Sequence, residues 1–108
     1  MKEALLNNLF PLITSLRKAG MKQLSEGNYS EAENIRKLYN QLSDLRDKII
    51  TAQLIKTSRD NEESLLMLSK VNVNLNDYLS LKEKADSKLA LVLNSLPALL
   101  SLLNSLIK

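Results

Sequence analysis

The sequence predicts an all-α fold: an antiparallel bundle of three long helices, the last kinked or broken near Pro97, giving a three- to four-helix bundle. Three observations predict it. Apolar residues recur at three- and four-residue steps along most of the chain. Helix formers such as Leu, Lys, Glu and Ala are plentiful, whereas there are only two Gly and two Pro. The one stretch that alternates with period two, from Val71 to Asn76, has no second strand candidate to pair with and is therefore read as helix. The 108 residues suffice for one core, so residues 1–108 are read as a single helical-bundle domain.

The first segment runs from about residue 3 to Glu26, with Leu6, Leu9, Ile13, Leu16, Gly20 and Leu24 along one face. Pro11 fits a helix that starts near Asn8, with the proline in its first turn. A kinked helix starting near Lys2 fits almost as well. Gly27-Asn28 ends the segment, glycine being the usual residue just past a helix C-terminus.

The second segment opens on Ser30 and Glu33, the spacing of a capping box. Ile35, Leu38, Leu42, Leu45, Ile49 and Ala52 then form an apolar seam. Glu33–Lys37 and Asp44–Lys48 are i,i+4 pairs in the favourable order. Residues 56–64 carry no apolar side chain, so a turn is expected there, with Asp60 and Glu63 as a cap. The turn Gly27-Asn28-Tyr29-Ser30-Glu31-Ala32 resembles the Gly-x-Tyr-x-x-Ala turn between paired helices of tetratricopeptide repeats. No second copy follows and the second segment outruns such a repeat, so the resemblance implies a helix-turn-helix and no function.

The third segment starts near Asn61 and carries Leu65, Leu68, Val71, Leu75, Tyr78, Ala85, Leu89 and Val92, with Lys82 interrupting the seam. Weakness is expected at its three asparagines. Leu96, Leu99, Leu103 and Leu106 extend the seam past Pro97, in a fourth piece capped by Ser95 or in a kinked continuation. The second and third segments are expected to form a hairpin roughly 40 Å long.

Composition excludes much chemistry. With no Cys and no His there is no disulfide, thiolate nucleophile, imidazole base or imidazole metal ligand. Two glycines cannot build a phosphate-cradling loop. The net charge of +3 is spread among interleaved acids and bases, so nucleic acid is not an expected partner. The carboxylate clusters Glu31/Glu33, Asp44/Asp47 and Glu62/Glu63 read as solvated faces and caps. Tyr39 and Tyr78 read as packing residues, and Tyr29 as a hydrophobic staple. No catalytic, cofactor or metal site and no small-molecule substrate is predicted, and the chain is expected not to be an enzyme. Neither a signal peptide nor a transmembrane helix is evident. The uncharged run from Leu89 to Ile107 is punctuated by Asn94, Ser95, Ser101, Asn104 and Ser105. A cytoplasmic location is the corresponding expectation.

That run is the informative feature. At 100° per residue Ala90, Asn94, Pro97, Ser101, Asn104 and Lys108 make one narrow polar stripe, and leucines fill nearly all the rest. The surplus leucines need a cover, as do those of the first segment: the two terminal segments bury each other in a compact four-helix core, or another copy or a partner helix covers them, or the last helix lies on a membrane. Leu93, Leu96, Leu99, Leu100, Leu102, Leu103, Leu106 and Ile107, with Leu6 and Phe10, are the predicted partner-binding residues. The expected function is a non-catalytic interaction module. It self-associates as a homo-oligomer or docks a partner helix. The alternative is a peripheral membrane protein using the uncharged helix 89–107.

Overall fold

Heptad spacing places Leu5, Leu9, Leu12, Leu16, Ala19 and Gln23 on one side of α1 (Lys2–Ser25), and all six are buried. In α2 (Tyr29–Thr51) the buried residues are Ile35, Leu38, Leu42, Leu45 and Ile49, five of the six expected on the seam; the sixth, Ala52, is the C-cap and half-buried. Helix α3 (Ser58–Ser80) buries Leu68, Val71, Leu75 and Tyr78, and α4 (Ala85–Ser105) buries Leu89, Val92, Leu96, Leu99 and Leu103. Leu106, just beyond α4, is buried with them. The computed structural model describes residues 2–54, 58–80 and 85–107, and its four helices surround one apolar core. The molecule measures 42 × 22 × 19 Å.

The architecture is all-α, with four helices instead of three. Helix α3 ends at Ser80 and α4 starts at Ala85, so the last helix boundary is not at Pro97. Both prolines sit inside helices, Pro11 in α1 and Pro97 in α4. Each removes the donor for the carbonyl four residues earlier, Asn7 and Leu93 respectively. Both prolines are exposed, so the unbonded turn faces outward and the helices continue. Of the two starts considered for the first helix, the one near Lys2 holds. Helix α3 begins at Ser58, earlier than Asn61, and Asp60 lies within it. Lys82 lies outside the described residues.

The expected hairpin of the second and third segments is not formed. α1 packs against both α2 and α3, and α4 packs closely on α3 and more sparsely on α2. Among the described residues α2 and α3 therefore face each other across the diagonal, as do α1 and α4. An apolar stripe requires a cover but does not specify which helix provides it. α1 and α3 run parallel, and polar side chains mark their register. Asn72 donates to the Asn8 carbonyl at 2.9 Å, and Ser15 meets Asn76 at 3.5 Å. The period-two asparagines thus lie in a helix, with Asn72 and Asn76 on the side facing α1.

The turn from α1 to α2 is a Schellman motif. The Asn28 amide donates to the Gln23 carbonyl at 2.9 Å and the Gly27 amide to Leu24 at 3.1 Å. Gly27 has φ of 80°, the left-handed conformation the motif needs. The expected capping box does not form. Asn28 occupies the N-cap position without a side-chain cap bond, and Glu33 binds Arg36 instead. The Asn28 side chain is drawn to Gln23, donating to its Oε1 at 2.9 Å. The expected Glu33–Lys37 and Asp44–Lys48 pairs do not form among the described residues. Arg46 pairs with Asp47, and Lys88 with Asp77 at 3.9 Å.

Candidate docking groove

The ten residues predicted to bind a partner are divided by the fold. Leu96, Leu99, Leu103 and Leu106 are at most 1% exposed, because this face of α4 closes the bundle. They are unavailable to a partner while the core is intact, which corrects their assignment to a docking surface. Leu6, Leu93, Leu100 and Ile107 are half-buried against the core, and Leu102 is half-buried. Only Phe10 is well exposed, with the Arg46 guanidinium 5.7 Å from its ring centre. The polar stripe of α4 faces solvent as expected at Ala90, Asn94, Pro97, Ser101 and Asn104, with Leu91 exposed beside it. By length and composition alone the helix Asp86–Ser105 could cross a bilayer, despite its asparagines and serines.

A group of exposed apolar side chains lies elsewhere, between the outer sides of α1 and α2. Met21, Leu24 and Tyr29 are 61%, 53% and 69% exposed and line a groove of about 560 Å³ with Leu16, Ile35 and Tyr39. Gly20 contributes by its missing side chain. A Cβ there would stand 3.2 Å from the Ile35 Cγ2, so glycine lets the two helices approach at the groove floor. Tyr29 does not act as a staple, because it projects into the groove.

Leu24 was expected on the apolar seam and is exposed instead. The buried stripe of α1 ends at Gln23, one position earlier, because Gln23 has specific partners. Its Nε2 donates to the Tyr78 hydroxyl at 2.6 Å, while its Oε1 accepts from Asn28. A polar residue completing the 5-9-12-16-19-23 heptad was the available signal, and the leucine beside it masked it.

The groove carries charge on both rims. Arg17 lies on the α1 side. On the α2 side Arg36 holds Glu33 in a two-pronged ion pair, its Nε 2.9 Å from Oε2 and its second nitrogen on Oε1. This bonding holds the Glu33 carboxyl below its ordinary range and raises Arg36. Both groups are exposed, so water screens the pair.

At the end of the bundle where α1 passes into α2, a polar cleft of about 660 Å³ lies among Gln23, Asn28, Glu31 and Asp86. Lys22 donates to the Tyr78 carbonyl at 3.3 Å and stands 4.3 Å from the centre of the Tyr78 ring. Burial pushes the Tyr78 hydroxyl above its usual range, partly offset by Gln23. Gln23 has both ends of its amide engaged, so the cluster is saturated by its own members. Among the described residues no three metal-binding side chains converge. No protein-family model, curated protein or solved structure matches the chain.

Proposed function

We propose that this chain is a non-catalytic interaction module that docks a helix of another protein in the α1–α2 groove. One observation carries the reading: Met21, Leu24 and Tyr29 are exposed together around a single groove. Large apolar side chains scattered singly are ordinary on a soluble surface, but a contiguous group around a groove is the surface a partner helix covers. The groove lies between two helices whose backbone bonds are satisfied internally. An extended strand would find no backbone partner there, whereas an amphipathic helix would bury its apolar side.

The leucine-rich ends contribute indirectly. They fill the core and so fix α1 and α2 at the spacing that shapes the groove. The test is a displayed library of amphipathic helical peptides selected against the whole chain. Binders should be recovered, and they should lose the Met21→Glu, Leu24→Glu double variant. Recovering none, or only binders indifferent to that variant, would reject the reading.

A second reading, attachment to a membrane surface through α4, draws on the hydropathy of Asp86–Ser105. It requires α4 to surrender the core contacts of Leu96, Leu99 and Leu103. Flotation with small, loosely packed vesicles tests it, and no flotation rejects it.

A further inference from the structure

We infer that the helix seated in the α1–α2 groove is acidic, presenting a carboxylate to Arg17. This rests on the docking reading above and names the chemistry of the partner. Two arginines line the groove, Arg17 and Arg36. Arg36 already has a carboxylate, Glu33. Arg17, beside Leu16 and Met21 in the groove, makes no ion pair or hydrogen bond among the described residues. An apolar segment laid over the groove would strip water from that guanidinium, which is unfavourable unless an anion replaces it. A carboxylate answers the planar fork with two bonds.

The same count argues against a second copy of this chain as the occupant. A two-fold pair places a surface against itself. Two arginines against one carboxylate leave the groove lining with a net charge of +1, so the copies would bring two uncompensated guanidinium-bearing grooves together. The groove spans Leu16 to Leu24 on α1 and Tyr29 to Asn40 on α2. This is roughly 15 Å, or two to three turns of a docked helix. An occupant would therefore offer apolar residues at i, i+4 and i+7 with an Asp or Glu beside them, one turn from the residue covering Met21.

The experiment sorts the peptide library on the whole wild-type chain, on Arg17→Ala, on Arg17→Glu, and on the Met21→Glu, Leu24→Glu double variant. All the altered positions are exposed, and circular dichroism should show each variant folded as wild type. Wild-type binders should be enriched in Asp and Glu next to their apolar stripe and should bind Arg17→Ala about fivefold more weakly. Selection on Arg17→Glu should replace the acidic residue with Lys or Arg. Binders that need Met21 and Leu24 but show no acidic bias and bind Arg17→Ala equally well would overturn this inference and leave the docking reading standing. Binders that ignore Met21 and Leu24, or none at all, would remove both. Light scattering should give the mass of one chain, and vesicle binding should not depend on Met21. A dimer or a vesicle attachment abolished by Met21→Glu would assign the groove to a second copy or to lipid and overturn the proposal.

Discussion

Replacing Gln23 with leucine should destabilise the bundle by about 2 kcal/mol, although it puts an apolar residue at an apolar heptad position. The magnitude follows from what Gln23 touches. Gln23 is 3% exposed and its amide donates to the Tyr78 hydroxyl, on a residue that is itself 1% exposed. Losing that bond removes about 1 kcal/mol, and leaving the phenol oxygen buried without a donor adds about 1–3 kcal/mol. The half-buried bond from Asn28 contributes about 0.5 kcal/mol more. Leucine recovers part of this, about 1 to 2 kcal/mol, through its own burial. Urea unfolding followed by circular dichroism gives the free energy, and calorimetry should show a melting point lower by roughly 9 °C for a chain of this size. The decisive measurement is the double-mutant cycle with Tyr78→Phe. Removing both partners leaves neither group orphaned, so the double variant should be more stable than the sum of the singles predicts by about 1 kcal/mol or more. A cycle that closes to zero, or a Gln23→Leu variant as stable as wild type, would refute the argument that this polar contact sets where the α1 stripe ends.

Three further outcomes follow from the packing. Leu99→Ala should cost about 2–5 kcal/mol in urea unfolding and Leu91→Ala about 0.5 kcal/mol or less, since one fills the core and the other is half exposed. Equal costs would mean that α4 is turned differently. Gly27→Ala should cost about 1 kcal/mol by thermal unfolding, because a Cβ is unfavourable at its positive φ even though nothing crowds it. The folded-state hydroxyl of Tyr78 titrates higher than in the unfolded chain, so its contribution to stability is whole below the unfolded value near 10 and is lost as pH climbs through the raised folded value. Stability measured from pH 9 upward should therefore decline in wild type, and Tyr78→Phe should flatten part of that decline.

The sequence by itself determined that this chain is helical and, for α2, which residues are buried. The reason is periodicity: Ile35, Leu38, Leu42, Leu45 and Ile49 repeat so regularly that only one face can turn inward. It also marked the glycine stop at Gly27 and the solvent stripe of α4, because these depend on local backbone chemistry and on the contrast between Asn or Ser and Leu. Tertiary structure decided the rest. Apolar stripes require covers but do not choose them, so the diagonal placement of α2 and α3 was not legible. The sequence left open whether Leu96, Leu99, Leu103 and Leu106 fill the core or cover an interface, and the fold places them in the core. The α1 register turned on Gln23, whose burial is favourable only when Tyr78 arrives from α3 to bond it. The exposure of Met21 and Leu24 in the groove has the same reason: once Tyr78 sets the rotation of α1, they are left facing water.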